Sequence, residues 1–556
     1  MIRSALDRLL GLRGKRRAGI VFLLGALAAL AMAPVHFSPV LFISFPAFFL
    51  VLNESLTNRT PRQQKRMAFW LGWCFGFGYF LAGLWWIGAA VLVDGATFAW
   101  ALPFAVAGIP AGLALFWAFA SVVALMFWQS NTLKIISLVF FFSFAEFLRG
   151  FILTGFPWNA LGYGAMPTVL FMQSASVVGL WGMTAFTLLA AFSPALLVLP
   201  GTGREQWRAR ILLICVVAGL VAHTGFGALR LLQAHQDTSS EEPVMLRLLQ
   251  PNINQQDKWR PGNDEAVLQS YLDLSAAPGL SSVDALVWPE SAFPFLVLQR
   301  PDVLARIDML LPEGVRLITG AVRIKPSDQT ASDPATRPEF YNSIIEFNDG
   351  ARPVGFYDKL RLVPFGEFLP FADIAERFGI TKLVNAPGGF ATGLAGNHYR
   401  FGDAGASGKT LPQARFLICY EAIFPDFQSR VPQTDEASAQ LSRPAEWMLN
   451  VTNDAWFGRL TGPYQHFHQA RLRAVETGLP MIRVANTGIS AVIDAYGRVE
   501  KSLPLGTAGI IDTALPPALP STYQKRSPDL PFALFMLLLG FLLLTGRVLI
   551  TPSHPV

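Results

Sequence analysis

The order of apolar and polar positions divides the chain into two regimes. Residues 18–33, 39–53, 67–92, 98–128, 133–148, 168–199 and 211–230 are nearly unbroken apolar runs, and one more, 530–550, follows after a long gap. Runs of this kind predict membrane helices, about eight in all. The first two are short, and the break from Met32 to Pro39 predicts a tight hairpin between them. Pro103 and Pro110 predict that the fourth is kinked or partly interfacial. Arg3, Arg8, Arg13, Lys15, Arg16 and Arg17 precede the first run, as in a signal peptide. No small-x-small cleavage site followed by a soluble chain comes after it, so a retained first helix is expected.

Inside the long gap the period changes. Strand-like runs at 245–249, 285–287, 316–319, 342–346, 416–418, 448–452, 481–485 and 490–494 alternate with helical stretches at 264–274, 303–311 and 464–477. This alternation predicts a layered α/β domain. Residues 231–243 read as a polar linker, 324–339 as an exposed loop, and the Gly/Pro-rich 385–397 as a surface loop or a lid. The expected division is a bundle of about seven helices over 1–230, an α/β domain over 231–529, and a last helix with a short tail over 530–556.

Composition agrees with the pattern. The 556 residues are 52% hydrophobic and only 15% charged, and the mean hydropathy is +0.40. Bundled membrane helices account for this better than an oversized core. A net charge of +6 raises nucleic-acid binding. The soluble stretch has neither a nucleic-acid-binding motif nor a long basic tract, so no nucleic-acid partner is expected. The positive charge collects instead in connections between apolar runs. With the N-terminus in the cytoplasm, the cytoplasmic connections hold Arg59, Arg62, Lys65 and Arg66, then Lys134, then Arg204, Arg208 and Arg210; the opposite ones hold little beyond Asp94 and Arg149. Seven crossings then deliver residues 231–529 to the outer face. Glu146, near the end of a span, is expected to snorkel or to pair with Arg149. The Gly- and aromatic-rich segment 149–163 reads as a plain connector or a lipid entrance.

Three cysteines occur, and Cys74 and Cys215 lie in apolar runs. That leaves Cys419 alone in the soluble stretch, without an intramolecular disulfide partner. In most proteins a lone cysteine after a strand is simply core. Two other strings give it chemical company. Glu290 ends the run Ala285 to Pro289, and Lys359 in Tyr357-Asp358-Lys359 is followed eight residues later by Glu367. A thiol near its free pKa is mostly protonated at neutral pH and needs a base or a cation beside it. Glu290 is suited to accept its proton, Lys359 to stabilise thiolate and oxyanion, and Glu367 to hold Lys359 in place. Taken singly, Glu290 also reads as a helix N-terminal acid and Lys359 as an exposed lysine.

The three strings in this order resemble the nitrilase (carbon-nitrogen hydrolase) superfamily. With membrane helices before and after them, the chain resembles its membrane-bound apolipoprotein N-acyltransferase branch. The matching strings are 249–254 with Lys258 and Trp259, 288–291, 357–367, 418–421, 452–458, 462–466 and 483–488. The resemblance implies an αββα sandwich beside the helical bundle. It implies Glu290, Lys359 and Cys419 as catalytic residues, with Glu367, Glu421 and Tyr420 in support. It also implies a ping-pong reaction. Cys419 takes the sn-1 acyl chain of a phospholipid, usually phosphatidylethanolamine, as a thioester. The α-amine of a diacylglyceryl-modified N-terminal cysteine of a lipoprotein then accepts it. The expected partners are the phospholipid donor, the diacylglyceryl apolipoprotein acceptor and membrane lipids, with monomer as the default state. No metal, nucleotide or other cofactor is required. The expected place is the inner membrane of a Gram-negative cell, with the catalytic domain on the periplasmic face.

Trp259, Trp456 and Phe457 are candidates to line an acyl cleft, and Asn453 and Asp454 to shape the site from a strand end; core packing and a turn or helix cap are the plain alternatives. The seven histidines are scattered and form no HExxH motif, so His466 and His468 are not read as metal ligands. Arg473 and Glu476 are expected to form a structural ion pair, and 486–488 to form a turn. The alternative function is a membrane-tethered amidase using the same triad on a C–N bond. A transporter carrying an inert nitrilase-like domain is a third class. It is disfavoured because the spans lack paired broken helices and clustered charges.

Overall fold

The computed structural model describes residues 2–93, 95–201, 203–234, 242–325, 338–369, 389–393, 398–399, 401, 409–425, 445–520 and 529–548. The sequence-predicted loop 324–339 and the candidate lid 385–397 lie mostly outside them. The chain forms two compact units. One comprises Met1–Gly88, Ala101–His235 and Thr522–Val556, and the other Ala89–Trp100 and Gln236–Ser521.

The first unit is helical. Seven helices among the described residues are long and apolar enough to cross a membrane: Ser38–Leu56, Pro61–Leu92, Phe104–Phe127, Asn131–Arg149, Ala175–Leu197, Gly203–Gln233 and Leu530–Arg547. The first predicted span is the shorter helix Gly14–Ala28, extended by a 3-10 turn Ala29–Ala31. The predicted hairpin follows it, closed by His36 N–H to Met32 O at 2.9 Å and Phe37 N–H to Leu30 O at 2.9 Å. The fourth run begins its long helix later than predicted. Past Pro103 a π-helical turn, Phe104–Gly108, leads into the helix Ile109–Ala124.

Local chemistry fixes these helices. Thr60 and Gln63 cap the helix Pro61–Leu84 reciprocally, with Pro61 at its first position. Gly25 and Gly78 let that helix lie against Gly14–Ala28. A Cβ on either would run into a backbone carbonyl of the other helix, of Phe75 or Phe22. The outer faces stay apolar: Ile214, Val217, Val221 and Leu229 on one helix, and Leu537, Leu538, Phe541 and Leu544 on the last, are exposed. Such stripes are stable against lipid, not water. The chain is a multi-pass membrane protein. In this unit the buried charges Glu146 and Arg149 are paired: they meet at 2.8 Å, Trp117 Nε1 donates to Glu146 at 2.8 Å, and Arg149 donates to the carbonyls of Phe156 and Trp158.

The second unit is a pair of sheets. Its strands are β1 (Met245–Gln250), β2 (Ala285–Trp288), β3 (Arg316–Lys325), β4 (Glu339–Phe347), β5 (Pro353–Asp358), β6 (His398–Tyr399), β7 (Ala414–Ile418), β8 (Trp447–Thr452), β9 (Met481–Ala485), β10 (Ser490–Ile493), β11 (Val499–Leu503) and β12 (Gly509–Ala514). One sheet runs β12-β1-β2-β3-β4-β5 and the other β11-β10-β9-β8-β7-β6. In each, three adjacent strands are parallel, β1-β2-β3 and β7-β8-β9, and the flanking pairs are antiparallel.

Strand alternation builds the layers. Leu246, Leu248, Val287, Ile318 and Ile344 of the first sheet join Phe416, Ile418, Leu449, Val451, Ile482 and Val484 of the second in one core. The opposite face of the first sheet, through Leu249, Leu286, Trp288 and Leu317, packs on the helices Asp264–Ser275 and Pro301–Leu310. With helix Thr461–Thr477 also in this unit, the architecture is the expected αββα-like sandwich.

Candidate active site

The three strings of the sequence reading converge at strand ends. Cys419 follows the last residue of β7, and β7 pairs in parallel with β8 through Ile418 and Val451. Its φ of +49° is left-handed, unusual for a residue with a side chain. It is only 5% exposed. Glu290 lies two residues beyond β2, and Lys359 directly follows β5.

Lys359 joins two carboxylates. Its Nζ lies 2.9 Å from Glu367 Oε1 and 3.6 Å from Glu290 Oε1, and the side chain is 1% exposed. Asn342, on β4, donates its Nδ2 to Glu290 Oε1 and to Glu367 Oε1, both at 2.9 Å. The other Glu367 oxygen accepts Val363 N–H at 2.8 Å. Backbone bonds fix Lys359: its N–H donates to Asn342 O at 2.9 Å, and its carbonyl accepts Gly393 N–H at 2.9 Å.

Glu421 ties the cysteine turn to the lysine loop. One of its oxygens accepts Leu360 N–H at 2.7 Å and Arg361 N–H at 3.0 Å. The other accepts Ile418 N–H at 2.7 Å and Tyr357 O–H at 3.0 Å. Tyr420 is buried edge-on to Phe424, ring centroids 5.0 Å apart.

Burial sets the proton chemistry. It raises the Cys419 thiol, Glu290 raises it further, and Lys359 opposes them. It also raises the Glu290 carboxyl, against Lys359. Burial lowers the Lys359 ammonium, but Glu367 and Glu290 outweigh it and the net shift is upward. Glu421 is pushed up to about 7 by burial, against Ile418 N–H. The arrangement can pass a proton between thiol and carboxylate beside a fixed positive charge.

A second network, which the sequence reading did not assemble, lies behind Cys419. His466 Nδ1 meets Asp454 Oδ1 at 2.8 Å, and His466 Nε2 meets Cys419 O at 3.1 Å. Arg483 donates to Asp454 Oδ2 at 2.8 Å, and Thr452 Oγ1 donates to Asp454 Oδ1 at 3.0 Å. Cys419, Asp454 and His466 offer donor atoms within 4.8 Å of one another. Both histidine nitrogens already face protein acceptors, and the Arg483 guanidinium occupies the carboxylate's other side. This donor set suits a brace for the cysteine turn better than a cation.

The remaining candidates divide. Asn453 is committed to protein groups: Nδ2 donates to Gln255 at 2.8 Å and Oδ1 accepts Asn486 Nδ2 at 3.2 Å. Phe457 is half-buried, packs on the sheet-to-sheet core and meets His466 edge-on. Trp456 is half-buried, and Trp259 is 49% exposed. Asn342 was missed as a site residue. Its signal is an amide in the middle of a strand-like run, where burial requires a polar partner. The expected pair Arg473–Glu476 forms at 3.1 Å, buried.

Known sequences match this chain over both of its parts. The family model for the apolipoprotein N-acyltransferase N-terminal domain matches residues 24–193, and that for carbon-nitrogen hydrolase matches 246–524. An apolipoprotein N-acyltransferase from Rhodopseudomonas palustris is 43% identical over 541 residues, 96% of each chain. One from Brucella melitensis biotype 1 is 43% identical over 522 residues, 93% of each. A solved carbon-nitrogen hydrolase from Helicobacter pylori G27 is similar at 13% identity and a TM-score of 0.32, covering 53% of this chain and 94% of that one. With such identity to full-length relatives and both halves matched, the chain belongs to the apolipoprotein N-acyltransferase family, acyltransferases of the nitrilase superfamily.

Proposed function

We propose that this protein moves an sn-1 acyl chain from phosphatidylethanolamine or a related phospholipid, through a Cys419 thioester, to the α-amine of a diacylglyceryl-modified N-terminal cysteine. The observation that carries the chemistry is Lys359 held between Glu290 and Glu367, with the Cys419 thiol under the influence of both Glu290 and Lys359.

Glu290 takes the thiol proton as Sγ attacks the ester carbonyl. The Lys359 ammonium faces the oxyanion that develops. Collapse breaks the ester C–O bond, and the lysophospholipid alkoxide leaves with the proton from Glu290. The α-amine, of ordinary pKa about 8, then attacks the thioester. Glu290 accepts its proton and returns it to the departing thiolate, leaving an amide. Asn342 and Glu367 position the two reacting charges. Trp259, Trp456 and Phe457 are the residues proposed to meet the acyl chains. Family membership and a membrane body support lipid donor and lipoprotein acceptor alike. The charge distribution of the connections supports an inner-membrane protein with its catalytic domain on the periplasmic side.

The test is intact mass of wild type and Cys419→Ala after incubation with phosphatidylethanolamine. The expected result is one added acyl group on wild type, absent from the variant and discharged by a diacylglyceryl-cysteine peptide. Peptide acylation without a Cys419 adduct sinks the thioester route. Hydrolysis of simple amides, with neither adduct nor acylated peptide, favours an amidase.

A further inference from the structure

We propose that Lys258 is a positioning residue for Glu290: its buried ammonium holds the turn that carries Glu290, and its charge helps keep that carboxyl ionised. This rests on Glu290 being the proton acceptor for Cys419. Lys258 ends the short helix Gln255–Lys258 that follows β1. It is 1% exposed. An ammonium buried so completely is costly unless other charges need it.

The geometry says which charges. Lys258 Nζ donates to the carbonyl of Ser291, the residue after Glu290. Ser291 has a left-handed φ of +50°, so the turn needs outside support. Ala292 N–H to Gly320 O at 2.7 Å and Gly320 N–H to Pro289 O at 3.2 Å supply the rest of it.

Charge balance points the same way. The groups facing Glu290 are Lys359, Glu367, Lys258 and the amide of Asn342, with the Cys419 thiol beyond. Lys359 is shared, and stands nearer Glu367 at 2.9 Å than Glu290 at 3.6 Å. Two carboxylates on one lysine leave a negative excess that favours protonating one of them, the arrangement least useful to a base. Lys258 cancels that excess. Burial draws its own ammonium down to about 8, and Glu290 opposes the fall.

The experiment is the pH profile of Cys419 alkylation by iodoacetamide in the full-length protein, with Cys74 and Cys215 replaced by alanine. Lys258→Gln keeps a donor for Ser291 without the charge, Lys258→Met removes both, and Lys258→Arg keeps the charge. Without the positive charge Glu290 is protonated at higher pH. The acidic limb should therefore move up by about one pH unit in the Gln and Met variants, an about tenfold slower reaction on that limb, and stay in place in Lys258→Arg. A limb unmoved in Lys258→Gln overturns the proposal, as does a limb moved equally in Lys258→Arg. If neither neutral variant folds, adding Glu290→Gln should restore folding by restoring charge balance; a double variant that stays unfolded overturns it. The probe reads the thiol and uses no lipid, so acyl transfer can fail as a reading while this profile holds.

Discussion

Cys419 is a weak nucleophile until its proton has somewhere to go. Burial first and Glu290 second lift its thiol above the ordinary range, so little free thiolate exists at neutral pH. In the proposed reaction proton transfer to Glu290 accompanies attack, and Glu290→Gln should slow acyl-enzyme formation by about 10²–10⁴-fold in single-turnover assays. Glu290 is itself raised, by burial. The base form is lost as pH falls through that raised value, so the acylation rate should decline at a higher pH than a surface glutamate would dictate. Asp454 has the opposite sign. Burial raises its carboxyl, but Arg483 and His466 outweigh this and hold it low. A depressed carboxyl contributes stability above its unfolded value, about 3.9, and loses it as pH falls through the folded one. Asp454→Asn should therefore cost about 3–5 kcal/mol at neutral pH by stranding Arg483. Thermal melts of the two proteins should keep that gap down to about pH 4 and converge below it.

At the scale of elements, the site depends on how closely strands approach its turns. Gly320 on β3 lies against the turn after β2, where a Cβ would sit 2.5 Å from Glu290 Cα. Gly320→Ala should push Glu290 away from Asn342 and Lys359 and lower acylation by about 10²-fold, with circular dichroism unchanged; full activity would mean that the turn yields freely. The sequence made the central strands legible because they are buried on both faces and read as short apolar runs, such as Met481–Ala485. It left four strands unread. Pro353–Asp358 begins with proline and carries a half-exposed edge, and Val499–Leu503 is almost wholly exposed. Gly509–Ala514 begins with glycine, and His398–Tyr399 spans two residues. Edge strands are defined by a neighbour's hydrogen bonds, not by their own hydropathy. The meeting of Lys359 with Glu290 and Glu367 was legible because their motifs are local. Asn342 and the set Asp454, His466 and Arg483 were not, since their meaning arises only when β4, β8, β9 and a helix meet.

For the whole molecule the open quantity is parity. Among the described residues, six helices long enough to cross precede residue 242, and the seventh follows residue 520. Six crossings would leave the catalytic unit on the side of the N-terminus; seven place it opposite. The deciding element is the short helix Gly14–Ala28 with its extension to Ala31. Two facts favour its crossing. It packs through Gly25 against Gly78 in the middle of a membrane-length helix. The basic residues Arg59, Arg62, Lys65 and Arg66 also cluster at one end of that helix, which fits the cytoplasmic side only if the first helix crosses. In a background with Cys74, Cys215 and Cys419 replaced by alanine, single cysteines should then report opposite sides. Lys501→Cys, exposed on β11, should react with a membrane-impermeant maleimide in intact spheroplasts, and Arg62→Cys only after lysis. Protection of position 501 with labelling of position 62 would invert the orientation. Labelling of both would show that the helix Pro61–Leu92 and those after it keep an even count. With position 501 protected, the thioester would form on the side where the amine of an exported lipoprotein is absent, and the acceptor as assigned would have to be abandoned.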